Sequence, residues 1–276
     1  MRLIAVLAAL LLTACAPVAE QPPPPEQTCT KATLPTRTPG KFTFATDEPV
    51  YQPWYLDNDP SNGKGFESAV AYALAEYLGY ARADVVWTRV PFNAAIQPGE
   101  KSFDANLTEF SITEERRQAV DFSAPYYDVA QAAVTLGSSP GAAVTTLDGL
   151  RKVKLGAQVG TTSYAAATAL NPEQEVAVYN TNDEAKAALT AGQIDALILD
   201  LPTAFYVTSA ELTDGKIIGQ LPRGNGRPEQ FGIVLDKGSP LTPCVSTAVD
   251  ALRANGVLTA LEREWLASSS TAPELR

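Results

Sequence analysis

Between Thr108 and Tyr127 the chain concentrates the residue types that hold a small anion. Ser111 and Thr113 bring hydroxyl and backbone N–H groups, and Arg116 follows Thr113 by three residues. Thr113 suits a helix N-cap, and Glu114 and Glu115 fall in the first turn, where the helix dipole favours acids. A short strand over Ala105–Leu107 delivers these hydroxyls to that helix start. With one guanidinium turned back toward it, the arrangement makes a cradle for a carboxylate. A capped surface helix with a solvated arginine fits the same residues, so the rest of the chain has to decide.

Composition removes several other chemistries. The chain has no histidine, so Ser-His-Asp and Cys-His constellations and histidine metal sites are impossible. Neither Cys29 nor Cys244 has a second close cysteine beside it, which disfavours a thiolate metal site. No metal or cofactor is expected. A net charge of −10 argues against nucleic acid or an anionic membrane patch as partner.

The N-terminus reads as a targeting segment. Arg2 is the only charge before the apolar run Leu3–Leu12, which is too short to span a bilayer. Leu12-Thr13-Ala14-Cys15 resembles a bacterial lipobox. Residues 1–14 are then a lipoprotein signal peptide, and Cys15 is the lipidated residue. An ordinary signal peptide that contains a cysteine is the alternative. Residues 15–39 form a tether, stiffened by Pro22–Pro25. The expected location is extracytoplasmic, lipid-anchored to a bacterial cell membrane. Outside the cytosol, Cys29 and Cys244 are natural disulfide partners, with two buried free thiols as the alternative.

The elements that must position the Arg116 segment alternate strand and helix, the pattern of α/β layering. Lys41–Thr46 reads as a strand, followed by a loop with Tyr51, Pro53 and Trp54. Phe66, Val70, Leu74, Tyr77 and Leu78 fall on one helical face. Val85–Val90 is the next strand, with Phe92 in the loop leaving it, and Val129–Leu136 carries the chain into a second unit. There Val153–Gln158 is a strand, and Gly160-Thr161-Thr162-Ser163 turns into the helix Tyr164–Leu170. Val176–Tyr179, a helix from Asn182 to Gly192, and the strand Ile194–Leu199 ending in Asp200 follow. Gly224-Asn225-Gly226 marks a loop before Phe231–Leu235, a strand that returns to the first unit, and the C-terminus is helical. The expected architecture is α/β and two-lobed, each lobe a mostly parallel sheet flanked by helices. Lobe 1 takes residues 40–129 plus 230–276, and lobe 2 takes residues 130–229. Two crossing strands hinge the lobes near Val129–Ala130 and Glu229–Phe231, and the ligand cleft lies between them.

With these residues placed, the chain resembles the extracytoplasmic solute-binding proteins of family 3, the polar amino-acid receptors of ATP-driven importers. The resemblance rests on Ser111-Ile112-Thr113 with Arg116, then Val120-Asp121-Phe122-Ser123 and Pro125-Tyr126-Tyr127. Gly65-Phe66-Glu67, Gly160-Thr161-Thr162 and Gly192-Gln193-Ile194-Asp195-Ala196 add to it, in the same order. It covers the chain from about Gly40 to Leu266 and implies the bilobal periplasmic-binding-protein fold of type II.

The resemblance also implies roles. Arg116 takes the α-carboxylate of an amino acid, assisted by Thr108 and Ser111. Thr162 donates a backbone N–H to the same group from the facing lobe, and Asp200 accepts from the α-ammonium, with a simple helix N-cap before Leu201-Pro202 as the alternative. Tyr51 and Phe92 sandwich the ligand side chain, with Trp54 nearby; core packing is the alternative for Trp54 and Phe92. Asp47 is either a ligand contact or a turn residue, and Glu67 is structural. Glu109 stands where the family often has a small residue. It either reaches the side-chain pocket, favouring a basic or amide ligand, or points to solvent. The implied partners are an amino acid and a membrane ABC permease, with the protein monomeric. A dehydratase-type enzyme using Glu109 as general acid, or a sensory module, are the alternatives on the same scaffold.

Overall fold

The computed structural model describes residues 29–223, 228–266 and 272–276. The leader, Cys15, the tether as far as residue 28 and the loop Gly224-Asn225-Gly226 lie outside the described residues.

The first lobe begins with β1 (Phe42–Thr46), α1 (Phe66–Tyr77), β2 (Val85–Arg89) and α2 (Phe92–Ala95). It continues through β3 (Ala105–Asn106), α3 (Glu114–Arg117) and β4 (Asp121–Val129). The second lobe contains β5 (Gln131–Leu136), α4 (Leu147–Arg151), β6 (Leu155–Gln158), α5 (Thr162–Ala169) and β7 (Ala177–Tyr179). Then come α6 (Asn182–Thr190), β8 (Ala196–Asp200), α7 (Leu201–Tyr206) and β9 (Gly215–Gln220). The chain returns through β10 (Glu229–Leu235) and ends its regular structure in α8 (Thr242–Ala254) and α9 (Val257–Trp265).

The two sheets have strand orders β2-β1-β3-β10-β4 and β7-β6-β8-β5-β9. In each, one strand is reversed against the others: β10 in the first and β5 in the second. These are the strands through which the chain enters each lobe from the other. The inner strands β1, β3, β10, β6, β8 and β5 are covered on both faces and are mostly apolar, while β2 and β9 at the margins carry exposed and polar residues. In β8, Leu197 and Leu199 join one core cluster while Ala196 and Ile198 join another on the opposite face. In the first lobe Phe42, Phe44 and Ile233 meet α1 and α8, while Ala45 and Val234 face Phe92, Phe110 and Phe122. On α1, Phe66, Val70 and Leu74 are fully buried, but Tyr77, expected on the same face, is 44% exposed.

Gly65 explains how the loop before α1 is held. Its φ of +94° suits glycine alone, and a Cβ there would lie 2.4 Å from the Trp54 carbonyl oxygen. The close approach lets Phe66 and Glu67 donate their N–H groups to Pro53 and Trp54 at 3.0 Å. Cys29 and Cys244 form a disulfide that pins the N-terminal segment to α8. A crosslink over so long a stretch restricts the unfolded chain and contributes about 2–4 kcal/mol.

Further features differ from the sequence expectations. Residues 29–39, expected in the tether, pack on the first lobe, where Leu34 is buried and the Arg37 N–H donates to Asp104 at 2.7 Å. β4 and β9 were not foreseen, because Asp121–Val129 carries polar residues and a proline on its way across the lobe, and Gly215–Gln220 alternates weakly. The end of the chain, assigned to lobe 1, belongs to lobe 2. Glu274 bridges to Gln220 beside β9, Leu147 donates its N–H to the Arg276 carbonyl, and Leu275 enters the second-lobe core. Among the described residues the chain therefore changes lobe three times.

Candidate ligand-binding site

A cavity opens between the lobes at the carboxyl ends of the parallel strands. Asp47, Tyr51, Phe92, Thr108, Glu109 and Arg116 line it from the first lobe. Gln158, Thr161, Thr162, Ser163, Asn182, Asp200 and Thr203 line it from the second. Eight of the ten expected ligand residues are thus brought to one cavity, all but Ser111 and Trp54.

Arg116 is aimed by its own short helix. Thr113 caps α3, its hydroxyl accepting from the Arg116 N–H at 3.1 Å. The guanidinium turns back as expected: Nη1 donates to the Ser111 carbonyl at 2.7 Å and Nη2 to the Gly160 carbonyl at 2.9 Å. Its carbon sits 5.4 Å from the centre of the Phe92 ring, which is stacked on Phe110. A guanidinium carries five N–H donors, so three remain for a ligand. Among the described residues Arg116 makes no ion pair with a carboxylate.

Ser111 has another task. It bridges to Phe231 at the sheet margin and is 1% exposed. Its hydroxyl donates to the Glu229 carboxylate, so the contact of 3.1 Å with Thr162 takes the Thr162 proton. Its carbonyl serves Arg116, and the expected direct contact with a ligand is corrected to a supporting role. Trp54 is likewise corrected. It is fully buried among Phe66, Tyr127 and Phe231, and its indole N–H donates to Thr203 across the lobe boundary at 2.7 Å.

Asp200 occupies the N-cap position of α7, yet its carboxylate caps nothing. It accepts from the Gln131 amide at 2.7 Å, and the same amide nitrogen donates to Glu229 at 3.0 Å. Gln131 is oriented in turn by the Ser163 hydroxyl, which donates to Oε1 at 2.7 Å. Burial pushes the Asp200 carboxyl well above the usual range, and the Glu229 charge adds to this. Glu229 and Gln131 begin the strands β10 and β5, so their bond ties the two lobe crossings together.

Glu109 faces the cavity and not solvent. Its φ is +52°, and its N–H donates to the buried Glu67 carboxylate at 2.7 Å. Glu67 also accepts from the Tyr126 hydroxyl, the structural part expected of it. The Glu109 carboxylate accepts from the Thr203 hydroxyl at 3.1 Å. Burial, then the charges of Glu67 and Asp200, push its carboxyl well above the usual range. Asp47 lines the cavity, and its carboxylate accepts from the Glu48 N–H at 2.7 Å. Tyr51 presents its ring to the cavity and to the Lys186 ammonium at 5.4 Å.

The charge balance is one-sided. A single guanidinium faces the carboxylates of Asp47, Glu109 and Asp200, with Glu229 directly behind. Such a cavity can receive a carboxylate at Arg116 and has more than one place for a cation. Gln131, Glu229 and Thr203 were not foreseen as members of this site. Thr203 alone left a signal: it lies three residues after Asp200, on the same end of a helix.

A model of the bacterial extracellular solute-binding proteins, family 3, matches residues 42–268. The chain belongs to this family. The L-arginine-binding protein of Pseudomonas aeruginosa is 32% identical over 238 residues, covering 78% of this chain and 86% of the relative. Among solved structures, an ancestral arginine-binding protein bound to arginine is 27% identical with a TM-score of 0.69. That match covers 82% of this chain and 98% of the other. An ancestral amino acid-binding protein, a precursor of cyclohexadienyl dehydratase, is also 27% identical, with a TM-score of 0.67 over 82% of this chain and 95% of that one. The family 3 solute-binding protein described here thus has the bilobal fold expected from its motifs, with the cleft between its lobes.

Proposed function

We propose that this family 3 receptor captures a basic amino acid, with its α-carboxylate on Arg116 and its α-ammonium on Asp200, and delivers it to an ABC permease. The carrying observation is the surplus of carboxylates. After Arg116 and Asp200 are paired with the ligand backbone, Glu109 still faces the cavity with no cation beside it, and Asp47 faces it with Arg89 as a neighbour. A buried carboxylate without a counter-ion costs several kcal/mol, and a ligand side-chain cation removes that cost. Thr108 and the Thr162 N–H at the start of α5 assist the α-carboxylate, and Tyr51 and Phe92 flank the aliphatic part of the side chain. The resemblance to proteins named for arginine supports the same reading.

Binding without turnover accords with the site. Glu109 is held by Thr203 and Glu67, an arrangement suited to a fixed acceptor. The lobes form a receptor held outside the membrane by lipid on Cys15, working as a monomer. Calorimetry with arginine, lysine, histidine, glutamine and glutamate tests the ligand class. Arginine or lysine should bind at least about tenfold more tightly than glutamine, and preference for a neutral or acidic ligand overturns the reading.

A further inference from the structure

Three residues distant in sequence share one hydroxyl. The Trp54 Nε1–H group lies 2.7 Å from Thr203 Oγ1, and that oxygen lies 3.1 Å from Glu109 Oε2. An indole nitrogen donates only, so Thr203 accepts the first bond and its single proton is left for Glu109. The indole fixes the direction of the first bond, and the second runs from Thr203 to Glu109 when that carboxylate is ionised. Trp54 comes from the loop before α1 and Glu109 from the turn after β3, both in the first lobe. Thr203 comes from α7 in the second. Trp54 and Thr203 are 0% and 1% exposed, so no water replaces either partner while the lobes are together.

Glu109 is held in two different ways. Its backbone is fixed within the first lobe, where the N–H donates to Glu67 and φ is +52°. Its carboxylate is held from the second lobe, by Thr203. That bond engages one carboxylate oxygen and leaves the other for a ligand. When the lobes part, the carboxylate loses this donor and Trp54 loses its acceptor together.

We infer that Thr203 is a specificity-determining residue that orients the Glu109 carboxylate toward a cationic ligand side chain only when the lobes close. The inference rests on the basic-ligand reading above. With a cationic ligand, closure brings Glu109 both a donor and a counter-charge. With a neutral ligand of similar shape, closure buries the same carboxylate with the donor alone. Closure is then favoured by the charge of the side chain as well as by its fit, because only a difference in affinity between the two states shifts their balance.

The test is calorimetry of the full mature chain with L-arginine and L-glutamine, for the wild type and for Thr203→Val, Thr203→Ser and Thr203→Ala. Circular dichroism and thermal melting confirm folding. Thr203→Val should weaken arginine by about tenfold or more and glutamine by less than about threefold, since the lost bond is to a charged acceptor. Thr203→Ser should restore the preference. Thr203→Ala, which adds no bulk, repeats the test should the valine variant fail to fold. Equal weakening of both ligands reduces Thr203 to a closure contact and overturns the inference, as does an arginine preference unchanged by Thr203→Val. A wild type that binds glutamine as tightly as arginine overturns the basic-ligand reading itself, and this inference with it.

Discussion

Arg116 of the first lobe donates from Nη2 to the carbonyl oxygen of Gly160 in the second, at 2.9 Å. The residue proposed to take the ligand carboxylate is therefore also one that fastens the lobes. On the proposed reading, ligand affinity and closure depend on the same side chain.

Arg116→Lys keeps the charge but loses the planar fork that serves Ser111, Gly160 and a carboxylate together. Amino-acid affinity should fall by about 100-fold or more, and the melting temperature of the ligand-free protein should fall by no more than the loss of these two carbonyl contacts explains. Calorimetry beside thermal melting separates the two effects, and near-wild-type affinity would remove Arg116 from the carboxylate site.

Asp200 must be ionised to receive an ammonium, yet burial and the Glu229 charge hold its carboxyl well above the usual range in the empty cavity. Ligand binding then favours the ionised form and releases a proton. Affinity should decline as pH falls, by up to about tenfold per pH unit below the raised value. Binding enthalpies measured in two buffers of different ionisation heat should reveal proton release, and the release should vanish in Asp200→Asn.

Burial pushes the Glu67 carboxyl from an ordinary 4.5 up to about 7. The folded chain holds this proton where the unfolded chain has released it. The stability so contributed is complete below pH 4.5 and is lost as pH rises through about 7, at a cost of about 3 kcal/mol. Glutamine can still accept from the Glu109 N–H and the Tyr126 hydroxyl. Glu67→Gln should therefore flatten the decline, which urea titrations between about pH 4 and pH 8 measure directly. A slope equal to that of the wild type would exclude Glu67 as the titrating group.

Gly65→Ala should be the most damaging small change near the site. Its Cβ would meet the Trp54 carbonyl at 2.4 Å and the Tyr55 Cα at 2.7 Å, both backbone atoms, at a φ of +94°. A loss above about 2 kcal/mol is expected in chemical denaturation, and a neutral result would mean that this loop can move away from α1.

What could be read from the sequence follows the range of the interactions. Thr113 and Arg116 are three residues apart, so the cap and the returning guanidinium were visible as local chemistry. Gly65 and the strand ending in Asp200 were visible for the same reason. Trp54 was misplaced because an aromatic on a loop fits a core and a ligand wall equally well. Thr203, which decides the matter, lies far along the chain. Glu229 stands out in the sequence only as a hinge position, and Gln131, just after the other hinge, does not stand out at all. A polar residue at the start of a strand carries no mark of a partner about 100 residues away. Ser111 carried the right motif, but its hydroxyl is claimed by Glu229 through a pairing that only the return of β10 creates.

The final residues, laid against β9 with Leu275 in the second-lobe core, bear on how this molecule can be taken apart. The second lobe is not one uninterrupted stretch of chain. A fragment cut at the two hinge strands would leave a gap where Leu275 packs and an uncovered margin along β9, inviting other strands to pair there. To express that lobe by itself, the last five residues would have to be grafted back or supplied as a separate peptide.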